Sequence, residues 1–342
     1  MSRSDRVRAV STAGLTAALL DRIRAVSPAV DLAQTGPSAD EMRPALANAE
    51  VLLTHFRQTG FDPALAPALR WVQLTSASVE QLIAQPIIRS NVTFTNSSGI
   101  HAVPIGEYAI ASLLAFRRHS RGLFRRQEAR HWAPASEVYE SLVAGELRGS
   151  TLGILGYGSI GREVARLGSC FGMRVLALKR DPAARRDPGW HPAGVGDPDG
   201  SIPELVFGPE RLHEFLSRCD HVVLSCPLTP KTERIIDAAA LGSMRESAYL
   251  VNVSRGQLVD EAALVRALRE RRIAGAGLDV AALEPLSKSS ELFDLDNVIL
   301  TPHCSGVTPG YDDRATELFC ENLRRYLAGE PLLNVVSRDN GY

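Results

Sequence analysis

TLGILGYGSIGREVARLGSCFGMRVLALKR, residues 151–180, reads as strand, tight turn, helix and second strand. Leu152, Ile154 and Leu155 form the short apolar run of a buried parallel strand. Gly156, Gly158 and Gly161 follow in the spacing G-x-G-x-x-G. The first allows the tight turn, the second lets the backbone approach a pyrophosphate, and the third lets helix and strand pack closely. Val164, Ala165, Leu167 and Gly168 make the packing face of the helix, and residues 173–178 are the next apolar run. The start of such a helix offers unpaired N–H groups and a positive dipole end to phosphates. A glycine-rich turn alone fits many α/β proteins. The flanking strands and the helix are the context that makes this one a dinucleotide-binding fingerprint.

The end of the second strand bears on which dinucleotide. An acid there binds the ribose 2′-hydroxyl of NAD. This chain has Lys179 in that place and Arg180 after it. Two cations suit a 2′-phosphate, so NADP is favoured over NAD. Asp181 stands two residues late and could still be recruited; alternatively, both cations are simply solvated.

Outward from the fingerprint, strand–helix alternation resumes at HVVLSC (221–226) and continues through AYLVNVS, AGAGLDV and NVILTPH. This pattern means a doubly wound parallel sheet. Asp260 caps a helix carrying Leu264, Ala267 and Leu268 on one face. Upstream, residues 104–118 form a nearly all-apolar helix with proline near its start. An arginine-rich run (Arg117 to Arg130) then reads as a solvated face or a subunit contact. Residues 185–208, dense in Pro, Gly and Asp, read as an inserted loop, a passive surface excursion even at Trp190 and His191.

Residues 1–100 read as a smaller α/β unit with strands at 51–54, 71–74 and 92–95 and helices over 12–25 and 39–47. The loops at 54–60 and 75–80 follow two of those strands, where open sheets bind ligands. Arg57 is either a partner for an anionic substrate or a solvated surface arginine. The segment after His303 holds one amphipathic helix over 309–327, too little for a domain of its own. The economical arrangement is a discontinuous domain, 1–100 plus 305–342, with the dinucleotide-binding domain, 101–304, inserted.

Length, 45% hydrophobic residues and a net charge of −1 fit a globular chain without a field that would attract nucleic acid. Five scattered cysteines suggest neither a disulfide framework nor a metal site. With no leader-like start and no long apolar run, a cytoplasmic enzyme away from membranes is the expectation.

Three polar residues stand at strand ends: Arg255 after VNVS, Glu284 after LDVAAL, and His303 after VILTP. Each alone is unremarkable surface chemistry. Together they suit oxidation of a 2-hydroxy acid or reduction of a 2-oxoacid. Arginine offers a charged fork to the carboxylate. Histidine exchanges the hydroxyl proton near neutrality, and a carboxylate beside it stabilises the imidazolium.

The segments LRGSTLGILGYGSIG, CPLTPKTERII, LVNVSRGQLVDEAAL, GAGLDV…EP and NVILTPH, spread over residues 147–303, resemble the D-isomer-specific 2-hydroxyacid dehydrogenases, glyoxylate and hydroxypyruvate reductases among them. The resemblance implies a Rossmann domain inserted in a flavodoxin-like substrate domain, and a homodimer through the cofactor domain. It implies that Arg255 binds the carboxylate and the reacting oxygen, with His303 as acid/base and Glu284 as its partner. Ala77 and Ser78 would offer N–H groups to the other carboxylate oxygen, and Asp279 would hold the nicotinamide carboxamide. Ser159 and Ile160 would meet the pyrophosphate, Cys226 and Pro227 the adenine, Val253 and Ser254 the nicotinamide ribose. Against the family pattern, Ala77-Ser78 replaces a pair ending in glycine, and Ala281-Ala282-Leu283 replaces a phenylalanine-acid run. Two alternatives remain: a cofactor-sensing regulator of the same fold without turnover, and a formate- or phosphite-type dehydrogenase.

Overall fold

The computed structural model describes residues 6–55, 66–79 and 86–337. The chain divides into two compact units. The first comprises residues 1–101, 188–193 and 308–342; the second comprises 102–187 and 194–307.

The first unit contains β1 (Val7–Ser11), β2 (Val30–Gln34), β3 (Val51–Thr54), β4 (Trp71–Leu74) and β5 (Thr93–Thr95). All pairs are parallel, in the order β2-β1-β3-β4-β5, the flavodoxin-like arrangement. β1 and β2 are strands that the sequence reading lacks. The helix expected over 12–25 runs only from Ala17 to Arg24. Thr12 bonds to β3 instead, and Gly14 turns the chain with φ +67°. The C-terminal helix Tyr311–Ala328 lays Phe319, Cys320 and Leu323 on this sheet. Phe319 stacks on the fully buried Trp71 at 5.2 Å. Beyond it, Val336 N–H donates to the Phe94 carbonyl at 2.9 Å, tying the tail to β5.

The second unit contains β6 (Thr151–Leu155), β7 (Arg174–Leu178), β8 (Leu205–Phe207), β9 (His221–Leu224), β10 (Tyr249–Asn252), β11 (Gly275–Leu278) and β12 (Val298–Leu300). They pair in parallel in the order β12-β11-β10-β9-β6-β7-β8. The order reverses between β6 and β9, the switch point where doubly wound sheets bind ligands. Helices cover both faces, and the helix Ala102–Arg117 buries Ile105, Ala109, Ile110 and Leu113 against β6 and β10 residues.

The 185–208 insertion differs from the passive excursion that its composition suggests. Its end forms β8 at the sheet edge. Trp190 is 9% exposed and packs with Ile100, Ala315, Leu318 and Leu333 of the first unit. Its N–H donates to Asn334 Oδ1 at 3.0 Å. Asp197, also buried, accepts from Tyr157 Oη at 2.7 Å and from the Ser201 and Ile202 amides, so its carboxyl lies below the usual range despite burial. Proline and glycine marked the irregular backbone, and long-range contacts fix it.

Candidate active site

The candidate residues of the second unit lie at the carboxyl ends of adjacent parallel strands. In spatial order from β7 they are Lys179 and Arg180, the β6 fingerprint, Cys226 and Pro227 after β9, Arg255 after β10, Asp279 after β11 and His303 after β12.

At the fingerprint, Gly156 has φ +101°, and a Cβ there would lie 2.4 Å from the Cys226 nitrogen. A Cβ on Gly161 would lie 2.2 Å from the Gly156 carbonyl oxygen. Both positions therefore exclude side chains for the sake of packing. Gly158 differs: it is exposed, and a Cβ would meet no protein atom within 4 Å. It precedes the helix Ser159–Cys170, which has no side-chain cap and no acid in its first turn. Ser159 and Ile160 are the first two residues of that turn. An open space in front of uncapped helix amides fits the pyrophosphate of a dinucleotide.

Arg162 and Glu163, inside this helix, are buried. Arg162 donates to the carbonyls of Asp197 and Arg185, and Glu163 Oε2 accepts from the Gly196 amide at 2.7 Å. The insertion is thus fastened to the fingerprint helix. Lys179 Nζ donates to the Ala184 carbonyl. Burial, and then Arg162 nearby, lower its pKa. Arg180 is exposed. Asp181 Oδ1 accepts from the Ala183 amide at 3.0 Å and closes its own turn.

Burial pushes the Cys226 thiol up to about 12, so it is an uncharged wall beside the exposed Pro227. Val253 is buried, and Ser254 Oγ donates to the Cys226 carbonyl.

Arg255 leaves β10 through a turn built by Asn252. Asn252 Oδ1 accepts from the Ser254 amide at 3.1 Å, and its Nδ2 donates to the Arg255 carbonyl at 2.9 Å. Behind it, a Cβ on Gly256 would fall 1.9 Å from the Ala281 carbonyl carbon. Gln257 Nε2 donates to the Ala282 carbonyl at 2.9 Å, and the Ala282 amide donates to Glu261 at 3.1 Å. The arginine turn and the loop leading to Glu284 are therefore one packed piece, and the absence of a side chain at Gly256 permits that approach.

His303 Nδ1 lies 2.7 Å from Glu284 Oε2. Glu284 Oε1 accepts from the Ala281 amide at 3.1 Å, which fixes the carboxylate. The imidazole is half exposed, with Nε2 directed away from Glu284. His303 holds φ +54°, a left-handed backbone rare outside glycine. Its amide donates to the Asp279 carbonyl at 2.7 Å. The Asp279 carboxylate, 1% exposed, accepts from Thr301 Oγ1 (2.6 Å) and from the amides of Cys304 and Ser305 (3.0 Å each). Tyr108 Oη lies 2.6 Å from Thr301 Oγ1. Burial first, and the Asp279 charge behind Thr301, raise this phenol to about 12. Sequence reasoning missed Asn252, Thr301 and Tyr108; the side chain of Asp279 clamps the 301–305 segment in addition to its expected place at the nicotinamide.

In the first unit, Asn96 Nδ2 donates to the Ala77 carbonyl at 3.0 Å, and Ser76 Oγ donates to the Ser78 carbonyl at 3.0 Å. Ser78 is not among the residues with left-handed backbone, so serine sits there without strain. Arg57 and the end of the 75–80 loop lie outside the described residues. Among the described residues no group of three or more His, Cys, Asp or Glu is arranged to hold a metal, and no helix is long and apolar enough to cross a membrane.

The sequence profile of the D-isomer specific 2-hydroxyacid dehydrogenase NAD binding domain matches residues 110–305. The chain is 33% identical to an (S)-sulfolactate dehydrogenase of Chromohalobacter salexigens, over 76% of this chain and 78% of that one. It is 33% identical to a glyoxylate reductase of Pyrococcus furiosus, over 80% of this chain and 77% of that one. A solved D-isomer specific 2-hydroxyacid dehydrogenase of Xanthobacter autotrophicus, in complex with NADPH and MES, superposes with a TM-score of 0.79 at 27% identity, covering 99% of this chain and 100% of that one. With the doubly wound sheet, the fingerprint turn and these likenesses together, the chain belongs to the D-isomer-specific 2-hydroxyacid dehydrogenase family, oxidoreductases that use a nicotinamide cofactor.

Proposed function

We propose that this enzyme reduces a small 2-oxoacid to its D-2-hydroxy acid, with NADPH preferred over NADH. The observation that carries the reading is the 2.7 Å contact between His303 Nδ1 and Glu284, which leaves Nε2 to exchange a proton. Arg255 takes the substrate carboxylate and leans on the carbonyl oxygen, and the amides of Ala77 and Ser78 take the other carboxylate oxygen. When bound, the reduced nicotinamide supplies the hydride to the carbonyl carbon. His303 Nε2–H gives its proton to the carbonyl oxygen as negative charge builds there, and Glu284 stabilises the imidazolium beforehand. Asp279 holds both the 301–305 segment and the nicotinamide carboxamide. Ser159 and Ile160 present amides to the pyrophosphate, Cys226 and Pro227 flank the adenine, and Val253 and Ser254 flank the nicotinamide ribose.

The NADPH preference rests on Lys179 and Arg180 standing where an acid would serve NAD, with Asp181 engaged in its own turn. A homodimer through the cofactor unit is part of the proposal. Phe124, Trp132, Tyr139 and Val143, all within residues 120–145, expose 63, 95, 79 and 68% of their surface, apolar area suited to a second copy of this chain.

Initial rates with NADPH and NADH on glyoxylate, hydroxypyruvate, pyruvate and bulkier 2-oxoacids test the reading. Turnover is expected, and Arg255→Ala should lower kcat/KM by about a thousandfold. Normal turnover by that variant would overturn the site assignment. Equal kcat/KM for the two cofactors, unchanged in Lys179→Ala, would overturn the NADPH preference alone.

A further inference from the structure

The first three residues of the fingerprint are Gly156-Tyr157-Gly158, so Tyr157 carries the only side chain of that turn. Gly156 is held from behind: its N–H donates to the Leu178 carbonyl and its carbonyl accepts from Ser225 Oγ, both at 2.8 Å. Gly158 faces open space, and glycine is the most conformationally free residue. The direction of the Ser159 and Ile160 amides beyond it therefore depends on what fixes Tyr157. That side chain is buried, and its hydroxyl donates to Asp197 Oδ2 of the 185–208 insertion at 2.7 Å. The Arg162 guanidinium lies over its ring, 4.8 Å from the centroid. Asp197 is occupied on both oxygens. Oδ2 also accepts from the Ile202 amide at 3.0 Å, and Oδ1 accepts from the amide and hydroxyl of Ser201 at 3.0 and 3.2 Å. Arg162, besides its bonds to the insertion carbonyls, pairs with Asp187 at 3.4 Å. Burial first, and then the bond to Asp197, raise the Tyr157 phenol, so its hydroxyl stays the donor at neutral pH. All of these residues belong to the second unit.

We infer that Asp197 is a positioning residue for the dinucleotide: through the Tyr157 hydroxyl it holds the fingerprint turn so that the helix amides face the pyrophosphate before the cofactor arrives. The inference rests on the reading of the Ser159 and Ile160 amides as the pyrophosphate site. A loose turn has to be ordered when the anion binds, and the entropy of ordering is subtracted from the affinity; a turn fixed beforehand avoids that loss. The bond is suited to this use. A phenol donating to a carboxylate is a charge-assisted contact, and burial shields it from water. Three further donors fix the carboxylate, so it passes the position of the insertion to the tyrosine rather than following it. Packing alone would be served by an apolar side chain at 157, which needs no acid to meet it. The pyrophosphate is common to both nicotinamide dinucleotides. The brace therefore acts on affinity for either one, whereas Lys179 concerns the 2′-phosphate alone.

Tyr157→Phe keeps the ring under Arg162 and removes only the donor. It should raise the dissociation constants of NADPH and NADH, read by nicotinamide fluorescence, by a common factor of about five to ten. In the same variant kcat at saturating cofactor should change by less than about twofold. Asp197→Ala should weaken both dinucleotides at least as much, and Asp197→Asn, which keeps an acceptor, should recover part of the affinity. The double variant should lose no more than Asp197→Ala alone, because both changes act through one bond. Competition with two fragments separates positioning from general loosening. ADP-ribose, which spans the pyrophosphate, should share the loss in Tyr157→Phe, and AMP, which stops at the first phosphate, should lose little. Unchanged dinucleotide affinity in Tyr157→Phe, losses that add in the double variant, or equal losses on ADP-ribose and AMP would overturn the inference while leaving the reductase reading intact. A wild type that binds ADP-ribose no more tightly than AMP would overturn the pyrophosphate reading along with it.

Discussion

The two ends of the site in the second unit are made by opposite means. At β6 the fingerprint works by subtraction: Gly156 and Gly161 clear room for packing, and Gly158 leaves open space before uncapped amides. At β10–β12 the site works by addition. Asn252 builds the arginine turn, and Asp279 with Thr301 and Tyr108 holds the histidine segment behind its surface. Binding a phosphate with backbone needs side chains removed. Moving a proton needs a side chain held in place by others.

Three experiments set these two ends against each other, and a fourth tests the sheet that carries both. His303→Asn removes the proposed acid/base and should lower kcat by ~10²–10⁴ with little change in cofactor affinity. A comparable loss of cofactor binding would mean that the two ends are not separable. At the start of β9 the buried His221 has no hydrogen-bond partner among the described residues for either ring nitrogen. Burial first, and Arg117 second, depress its pKa to about 4. The unfolded chain takes up that proton near pH 6.5, the folded chain only near 4. Stability is therefore present above pH 6.5 and lost as pH falls toward 4, by up to about 3 kcal/mol. Urea titrations at pH 7 and pH 5 should show the drop, and His221→Leu should flatten it. Gly158→Ala places a methyl in space that no protein atom uses. It should leave the melting temperature within a degree or two and weaken dinucleotide binding by about tenfold. A lower melting temperature with unchanged affinity would reverse the subtraction argument. Tyr108→Phe removes only the outermost member of the Asp279 chain and should lower kcat two- to threefold at most; no change at all would confine the positioning to Asp279 and Thr301.

The subtractive end was legible in the sequence because its residues are consecutive and their spacing is the signal. The strand-end residues Arg255, Glu284 and His303 were legible through chemistry, and the short distance between the last two agrees with it. The supports behind them were not legible: Tyr108 and Thr301 are 193 residues apart, and no local pattern links them. β2 escaped because it is a half-exposed edge strand carrying Asp31 and Gln34, without a continuous apolar run. β1, although nearly all buried, is a five-residue strand with Arg8 inside it. Residues 185–208 misled by composition, since one tryptophan decides where the middle of that segment packs.

The membership of Pro188–Ala193 in the first unit means that the chain passes between its two bodies four times, after residues 101, 187, 193 and 307. Neither body can then be cut out with a single pair of cuts. A fragment spanning 102–307 would carry six residues that belong to its neighbour. It would strand Trp190 in water and leave a vacancy among Ile100, Ala315, Leu318 and Leu333, a loss of about 3–5 kcal/mol to the other piece. Exchange of cofactor-binding bodies between relatives, by recombination or by hand, has to respect that small stitch.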